Sequence, residues 1–328
     1  MEQVQEADGT RKARLSKAER QAEIKKEISR LIPLLGLILI VVLFEILSGG
    51  RLLEKRNLTS IFNEVFALLI CTTAGVYVMA TGNLDFSIGA NMGVCAVFAC
   101  LAAFVNPALA FPVALLTGVA VGFVVGAVQV YFKLPSFVTC LCMMFILIAL
   151  SQSLTGGASK MVPTEMLTWN VDSIKWIVLI VYMVVMYLVF DYTRVGKQLK
   201  AMGISEEASI QSGVKTGKMR IIAYMITGLA AGLAGYFTLL RSGSASYTIG
   251  QTTTVDVIIA VVLGGMSLSG GETSKISAAV YGSLISVVLD SGIVLSGLGG
   301  DMQQLIKGLL FIVVMGISAG KNKNELVK

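Results

Sequence analysis

The sequence predicts an all-α, polytopic membrane protein with about ten transmembrane helices, some of them short or broken. The first observation is composition: 55% of the 328 residues are apolar and only 14% are charged, whereas about 25% of a soluble domain is charged. The second is that apolar windows of roughly 20 residues, the length a helix needs to cross a bilayer, recur along the chain. The third is that these windows are long and rich in glycine, whereas the strands of a β-barrel are shorter and alternate with a period of two.

Residues 1–30 are charged and precede the first apolar window. We expect a basic cytoplasmic tail here rather than a signal peptide, because the segment is long and no small-residue cleavage site follows the first apolar run. The stretch from Ser16 to Glu19 matches the capping-box pattern Ser-x-x-Glu, which predicts a helix that begins near Lys17. A basic helix beside a membrane is attracted to anionic lipid, so membrane lipid is its expected partner.

Residues 31–320 are expected to form a single transmembrane domain, followed by a short cytoplasmic tail at residues 321–328. We expect the third and the eighth apolar windows to be broken or partial spans, because they are short or rich in glycine. The ten windows, in chain order, are Leu31–Leu47, Ile61–Ala80, Phe86–Val105, Ala108–Phe132, Phe137–Leu154, Ile174–Phe190, Met219–Leu240, Val255–Leu268, Ile276–Leu295 and Met302–Ala319.

The distribution of lysine and arginine predicts the orientation of the chain in the membrane. The N-terminal tail, the central loop at residues 193–218 and the C-terminal tail hold most of the basic residues. Because positively charged loops stay on the cytoplasmic side, both termini and the central loop are predicted to be cytoplasmic. The cluster Arg51–Arg56 is the one local exception. The net charge of +6 is therefore interpreted as a topology signal, and no nucleic-acid partner is expected.

The composition also excludes several kinds of chemistry. The chain has no histidine, which removes histidine-based catalysis and the common metal sites. Its five cysteines lie in apolar windows and are expected to be core residues rather than disulfides or metal ligands. The segment from Gly213 to Met219 has the wrong spacing for a phosphate-binding loop, and Met219 stands where that loop needs a hydroxyl group. We therefore expect no metal, no cofactor and no enzymatic activity in this chain.

Few ionisable residues fall inside the apolar windows. Such residues are either structural, as caps or as side chains that reach the interface, or part of a functional site, and both interpretations remain open here. A proton-coupled or sodium-coupled carrier would need a more extensive ionisable set near the middle of the membrane. The candidates are Glu45, Glu64, Asp256, Asp290 and Lys307, of which only Glu64 and Lys307 lie well inside a window.

Glycines spaced four residues apart occur in three of the windows. This spacing lets the backbones of neighbouring helices approach closely in a bundle. We expect these glycines to serve packing within the domain, and a surface for self-association is the alternative. They are Gly89 and Gly93, then Gly118, Gly122 and Gly126, then Gly228 and Gly232.

The central loop is charged, yet its sequence is typical of a folded segment. Ser205 is a favourable N-cap for a short helix, and Glu206 and Glu207 fall in the first turn, where the helix dipole favours negative charge. Gly213 stands where a left-handed residue commonly ends a helix. A short charged helix on the inner face of a membrane domain would be a docking element for a partner. An ordinary connector between two spans is the alternative.

Five stretches of the chain, in the correct order, resemble the motifs of one family. The central loop resembles the coupling loop of bacterial ABC importer permeases of the ribose, xylose and galactoside type, and "TGNLDFSIG" at residues 81–89 resembles the first signature of that family. The stretches "KLPSFVTCLCMM", "DVIIAVVLGGMSLSGGETS" and "MQQLIKGLLFIV" resemble its later segments. The resemblance covers residues 55–320. Asn83, Met266 and Glu272 depart from the family's usual residues, which bears on the substrate.

The resemblance implies the membrane-spanning subunit of a monosaccharide importer in the bacterial inner membrane. It implies three protein partners: an ATP-binding cassette subunit that binds and hydrolyses the ATP, an extracytoplasmic sugar-binding protein, and a second copy of the permease in a homodimer. We assign coupling to the ATPase to the loop residues Ser205, Glu206, Glu207, Ala208 and Gly213. The residues that carry the family signatures are Gly82, Asp85, Ser87, Gly89, Gly264, Gly265, Gly270 and Gly271.

The first signature also carries a structural expectation. Gly82 and Gly89 would let the chain turn or break at the inner end of the second span. Asp85 and Ser87 would then cap the backbone N–H groups that the break frees. The alternative is that Asp85 is a solvated loop residue.

Two other functions remain open at this point. A nucleoside permease is the alternative within the importer class, and an ion-coupled secondary carrier that acts alone is the alternative outside it. The charged central loop and the scarcity of ionisable residues in the middle of the windows favour the importer. No substrate-binding residue is assigned, and the sequence does not specify the sugar.

Overall fold

The computed structural model describes residues 34–297 and 299–325, and it is almost entirely helical. The predicted capping box near residue 16 lies outside the described residues. The helices are α1 Leu34–Leu47, α2 Lys55–Ala80, α3 Ile88–Ala103, the 3-10 turn Pro107–Leu109, α4 Ala110–Phe132, α5 Ser136–Thr155, α6 Thr164–Leu167, α7 Asp172–Tyr192, α8 Arg194–Ile204, α9 Glu206–Gln211, α10 Thr216–Ser242, α11 Thr253–Leu263, α12 Ile276–Leu295 and α13 Gly300–Glu325. Two short strands, β1 Lys160–Met161 and β2 Ser244–Ala245, pair antiparallel.

Each of the ten predicted windows overlaps one of these helices, so the prediction of an α-helical membrane protein is confirmed. Six of the described helical segments are long and apolar enough to cross a membrane: Lys55–Ala80, Pro107–Phe132, Ser136–Thr155, Asp172–Tyr192, Thr216–Ser242 and Ile276–Leu295. Four shorter apolar helices occupy the other windows: Leu34–Leu47, Ile88–Ala103, Thr253–Leu263 and Met302–Val313. The count of about ten spans and the cytoplasmic location of both termini stay predictions.

The two windows expected to be short contain α3 and α11, of 16 and 11 residues. Their predicted limits were too wide. Helix α3 begins at Ile88, since residues 81–87 form a separate irregular segment. Helix α11 ends at Leu263, because Gly265 adopts a left-handed conformation (φ +89°) that turns the chain.

The helices form two sets with the same pattern of packing. In the first set α3, α4 and α5 contact one another, and in the second set α11, α12 and α13 do the same. Between the sets, α10 packs on α3 and α4 while α2 packs on α11 and α12, and α2 and α10 contact each other. Under the predicted topology α2 begins outside and α10 begins inside, so the two sets are expected to have opposite orientations. Such inverted repeats are typical of membrane transport domains.

Helices α3 and α11 begin beside each other at the centre of the domain. The sequence Phe-Ser-Ile-Gly ends at Gly89, and the similar sequence Tyr-Thr-Ile-Gly ends at Gly250. A Cβ atom on either glycine would collide with the carbonyl oxygen of the other. The Gly89 N–H also donates to Thr254 Oγ1 at 3.1 Å. Glycine is therefore required at both positions, because two backbones touch there.

The glycines spaced four apart serve packing within the domain. Gly118 of α4 and Gly228 of α10 face each other, and a Cβ atom on either would overlap the carbonyl oxygen of the other. A Cβ atom on Gly122 would likewise overlap the Tyr224 carbonyl oxygen, and one on Gly232 would come too close to the carbonyl oxygen of Ala114. This contact supports the packing interpretation over the self-association surface for these residues.

Burial divides the long helices into a central and a peripheral group. Helices α2, α10 and α12 are mostly buried, whereas α4, α5 and α7 leave most of their apolar side chains at least partly exposed. Exposed apolar side chains on a membrane domain are expected to contact lipid or another subunit. Four cysteines are buried as predicted, but Cys142 on α5 is exposed, so its assignment to the core was wrong.

Cysteine labelling tests the predicted orientation. The test needs one cysteine in the central loop and one on the predicted outer side. In the loop, Ser209 is unsuitable, because it is only 5% exposed and its hydroxyl donates to the Ser205 carbonyl oxygen at 2.8 Å. Ile210 is 55% exposed and Ser159 is exposed, so both accept a reactive thiol. In a Cys142→Ser background, we expect Ile210→Cys to react with a membrane-impermeant maleimide only in inverted vesicles, and Ser159→Cys only in intact cells. Labelling of Ile210→Cys in intact cells would overturn the orientation.

Candidate functional site

The central loop is folded as two short helices separated by one residue. Ser205 lies between α8 and α9, and its Oγ accepts a hydrogen bond from the Ala208 N–H at 3.2 Å. Gly213 follows α9 with φ +84°. The predicted N-cap and the predicted left-handed residue are thus both confirmed. The loop ends at residue 215 rather than 218, because α10 begins at Thr216.

One face of α9 is open to solvent. Glu207 and Ala208 are exposed, and so is the apolar side chain of Ile210. Glu206 is already paired within the chain, because its Oε1 lies 2.8 Å from Nη2 of Arg220. Among the described residues Glu207 has no ion-pair partner. The carboxylate available to another protein at the start of α9 is therefore that of Glu207.

Helix α8 fastens the loop to the membrane domain. Lys200 Nζ lies 2.7 Å from Asp191 Oδ1 and 4.4 Å from the centre of the Phe190 ring. Leu199 and Met202 are buried beneath the helix. These contacts hold the loop in one position, which an exposed docking element needs if it is to bind without a large ordering cost.

The end of α8 meets two of the family signatures at a point that we name the glycine junction: Ala80, Gly82, Gly203, Gly270 and Gly271. The Gly271 N–H donates to the Ala80 carbonyl oxygen at 3.0 Å. A Cβ atom on Gly203 would overlap that same oxygen and the Gly271 nitrogen. Gly82, Gly270 and Gly271 have φ between +70° and +83°. The junction joins the last residues of α2, the central loop and the turn between α11 and α12.

The other paired glycines shape the same turn. Gly264 directly follows the last residue of α11. It lies so close to the Ala278 carbonyl oxygen of α12 that no side chain fits there. Gly265 then reverses the chain, and its N–H donates to the Val262 carbonyl oxygen at 2.9 Å. Both residues therefore position α11 against α12, and Met266 beyond them is buried.

Asp85 is a buried residue whose side chain connects two parts of the domain by hydrogen bonds, rather than a solvated loop residue. Its side chain is 7% exposed. Oδ1 accepts from the Ser87 N–H at 2.8 Å and from the Ser87 hydroxyl at 2.7 Å, and Oδ2 accepts from the Thr227 hydroxyl at 2.8 Å. The capping expectation is met for Asp85. It was wrong for Ser87, whose hydroxyl donates to Asp85. The expected turn occurs at Gly82, which has φ +75°, but not at Gly89, which lies within α3.

Removing the Asp85 carboxylate should destabilise the domain. Asp85→Ala leaves the buried Ser87 N–H and the Ser87 hydroxyl without their acceptor, and each such group costs about 1–3 kcal/mol. The Thr227 hydroxyl keeps the Tyr224 carbonyl oxygen as an acceptor at 3.0 Å. We expect a clear fall in the melting temperature of the purified protein. The control is Asn83→Ala, which removes a half-buried hydrogen bond from Nδ2 to the Thr81 hydroxyl. Equal melting temperatures for the Asp85→Ala variant and the unmodified protein would contradict this role.

A polar cavity of about 650 Å³ lies among α2, α3 and α10 to α13. Its volume falls within the range of roughly 300–1,000 Å³ that is typical of small-molecule sites. Thr252 and Thr253 at the beginning of α11 lie at its wall. The lining residues are Glu64, Ala67, Leu68, Met92, Thr238, Arg241, Gly250, Gln251, Thr252, Thr253, Val255, Asp256, Val287, Asp290, Gln303, Gln304, Lys307 and Gly308.

Four of the five ionisable candidates line this cavity. Lys307 Nζ lies 2.6 Å from Asp256 Oδ1 and 2.7 Å from Asp290 Oδ2. Lys307 and Asp290 are only 8% and 9% exposed. Asp290 is therefore a buried member of an ion-pair cluster rather than a side chain that reaches the membrane interface. Glu64 Oε1 lies 3.3 Å from Arg241 Nη2 in a more exposed pair.

Sequence reasoning also missed polar members of the cavity and of the Asp85 site. Thr227, Arg241 and Gln251 are ordinary residues within or beside apolar stretches, and nothing local distinguishes them. Glu45, the fifth candidate, has a local role, since its Oε2 accepts from the Leu53 N–H at 3.1 Å. Within the described part of the chain, no cluster of histidine, cysteine, aspartate and glutamate is suited to a metal ion.

Comparison with known proteins identifies the family. Residues 57–315 match the model of the branched-chain amino acid transport system / permease component family. The ribose import permease protein RbsC of Escherichia coli K12 is 30% identical over 85% of this chain and 91% of its own. The fructose import permease protein FrcC of Rhizobium meliloti is 29% identical over 87% of this chain and 84% of its own.

A third relative, the autoinducer 2 import system permease protein LsrC of Photorhabdus luminescens, is 29% identical over 85% of this chain and 87% of its own. No solved structure matches the chain significantly. The family match spans most of the chain and agrees with the resemblance based on its motifs. The chain therefore belongs to the branched-chain amino acid transport system / permease component family and is a multi-pass protein of the inner membrane.

Proposed function

We propose that the chain is the membrane-spanning permease subunit of an ABC importer that takes up a monosaccharide or a closely related small polyhydroxylated molecule. The carrying observation is the near-complete alignment with relatives named for the import of ribose, fructose and autoinducer 2. The polar cavity supports the proposal, because a permease for such molecules needs an interior that offers hydrogen bonds. In this proposal a separate ATP-binding cassette subunit supplies the energy.

The exposed face of α9 is the proposed contact with the ATP-binding subunit. Glu207 offers a carboxylate at the start of a helix, where it can pair with a basic residue of the partner. Ala208 is small and lets the partner approach the helix closely, and Ile210 supplies apolar area to bury. Gly213 sets the direction in which the chain leaves the helix.

The glycine junction is the proposed route from this contact to the cavity. A shift of α8 would act on Ala80 at the end of α2 and on Gly271 in the turn after α11, since Gly203 touches both. Helices α2 and α11 carry Glu64 and Asp256, which line the cavity. Close contact between backbones leaves little room for independent movement, so these elements are expected to move together.

The proposed complex also contains a second permease copy and an extracytoplasmic sugar-binding protein. The outer segments on either side of β1 and β2 are held together by the pairing of Lys160 with Ala245 and of Met161 with Ser244. An ordered outer surface of this kind suits a docking protein, because less conformational freedom is lost on binding.

Uptake measurements test this function. Cells or proteoliposomes that contain the permease with its ATP-binding and sugar-binding partners should accumulate labelled monosaccharide only when ATP is present. A panel of ribose, fructose, xylose and a nucleoside separates the sugar permease from the nucleoside alternative. Uptake that persists without ATP and collapses when the ion gradient is dissipated would instead identify an ion-coupled carrier.

A further inference from the structure

We propose that the cavity among α2, α3 and α10 to α13 is a substrate-binding site within the permease itself. It takes a neutral polyhydroxylated molecule, and Asp290 Oδ1 accepts a hydrogen bond from one of its hydroxyl groups. The proposal rests on the proposed function, since it names the substrate class and the recognising groups of the same transport pathway.

Asp290 indicates a ligand because one of its carboxylate oxygens has no hydrogen-bond partner among the described residues. Lys307 Nζ binds Oδ2 at 2.7 Å, while Oδ1 is buried and has no hydrogen-bond partner among the described residues. The side chain is 9% exposed and lines the cavity. A buried charged oxygen without a partner is costly, so native proteins rarely leave one unused. Oδ1 itself is closed off in this conformation, so in our proposal the Asp290 carboxylate turns towards the cavity when the ligand enters, and a ligand hydroxyl group then supplies the missing donor.

The charges of the cavity favour a neutral ligand over an anionic one. Both cations are already paired, Lys307 with two carboxylates and Arg241 with Glu64. The five charged side chains, three acidic and two basic, sum to a formal charge of −1. The cavity would therefore repel the phosphate group of a phosphorylated sugar, since its lining has a net negative charge and neither cation is free to bind the phosphate. The low dielectric of the site strengthens that repulsion.

The remaining wall matches the two kinds of surface that a sugar presents. Gln303, Gln304 and Gln251 each carry both donors and acceptors, as a hydroxyl group does. Leu68 and Met92 form an apolar part against which the C–H face of a sugar ring can pack. The cavity is much larger than one monosaccharide, so the ligand would enter with some of its water.

Lys307 has a positioning role in this site. Its ion pairs tie Asp256 of α11 and Asp290 of α12 to α13 and so fix the direction of the Asp290 carboxylate. Asp290→Asn keeps the shape of the side chain, and Lys307 keeps Asp256 as a partner. The variant therefore tests the charge of the acceptor while leaving the packing in place.

The first experiment measures binding to the purified full-length permease in lipid nanodiscs without its partners. Saturation-transfer NMR with ribose and fructose as probes should show saturable binding of at least one of them, and ribose 5-phosphate should show none. A hydrogen bond to a charged group is strong enough that Asp290→Asn should weaken binding about tenfold or more. Gln304→Ala, which removes an exposed side chain, should also weaken binding.

The matched control is Asp172→Asn. It also removes a carboxylate paired with a buried lysine, Lys175, at 3.3 Å, and that lysine also keeps a second partner, Asn63 Oδ1 at 2.7 Å. Asp172 lies outside the cavity, so binding should be unchanged. The proposal is overturned if neither sugar binds, if ribose 5-phosphate binds as tightly as ribose, or if a folded Asp290→Asn variant binds as tightly as the unmodified protein.

Uptake by the complete transporter separates this proposal from the proposed function. Asp290→Asn should raise the sugar KM for uptake and leave stimulation of ATP hydrolysis by the sugar-binding protein intact. An unchanged KM in a transporter that takes up sugar would overturn the binding site and leave the importer function standing. Absence of ATP-driven uptake by the unmodified complex would overturn the importer function itself.

Discussion

Gly89→Ala is expected to prevent the domain from reaching its native packing. The added methyl group would collide with the Gly250 carbonyl oxygen and with Thr254 at the point where α3 and α11 begin. Backbone atoms cannot move aside as a flexible side chain can, so we expect a loss of more than about 3 kcal/mol of stability. The variant should give little monodisperse protein on size-exclusion chromatography and a strongly lowered melting temperature.

Two further variants make this result specific. Gly250→Ala should be at least as damaging, because the position also has φ +81°. Gly36→Ala should be nearly neutral, because no atom of the described residues lies within 4 Å of the place where its methyl group would stand. If Gly89→Ala and Gly36→Ala behave alike, the close contact between the two helix beginnings does not hold the domain together.

Glu207→Arg and Gly213→Val are expected to separate the permease from its ATP-binding partner without unfolding it. Glu207 is exposed, so reversing its charge disturbs no ion pair among the described residues of the chain itself. In the part of the chain that the structure describes, no atom lies within 4 Å of the place where a Cβ atom on Gly213 would stand. Its φ of +84° makes backbone strain, roughly 1–2 kcal/mol, the main cost of a side chain. Both variants should insert normally, lose the co-purifying ATP-binding subunit and reduce uptake at least about tenfold.

Each variant has a counterpart elsewhere in the chain. Glu165→Arg also reverses an exposed glutamate in the first turn of a short helix, α6. Gly297→Val also places a side chain at a left-handed residue with open surroundings, at φ +80°. Both controls should retain the ATP-binding subunit. Normal retention and normal uptake in Glu207→Arg and Gly213→Val would make the central loop a plain connector.

The features predicted well from the sequence are those that depend on a few neighbouring residues. A long apolar stretch can satisfy its backbone in lipid only as a helix, so the windows predicted the helices. The N-cap at Ser205 and the left-handed residue at Gly213 are also local, since each serves the ends of one short helix. The family motifs, which are short continuous stretches, led to the same family as the comparison of the whole chain.

The sequence Ile-Gly occurs at the first two residues of α3 and again shortly before α11, but the motifs alone did not pair these two copies. Gly89 and Gly250 are 161 residues apart along the chain (250 − 89), and only a search for internal repeats would have matched them. The contact between the two glycines in space depends on two helix sets that pack with the same pattern. No stretch of either set specifies that packing alone.

The sequence by itself determined that this protein is a helical membrane permease with a folded, charged central loop, because hydrophobicity, capping and motifs are properties of continuous segments. Only the tertiary structure decided that Lys307 binds Asp256 and Asp290 at the wall of a cavity, and that Asp85 binds Thr227 in the interior of the domain. Partners such as Lys307 and Asp256 are 51 residues apart in the chain. Their meeting depends on how whole helices pack, which is set by the sum of many weak contacts rather than by any local signal.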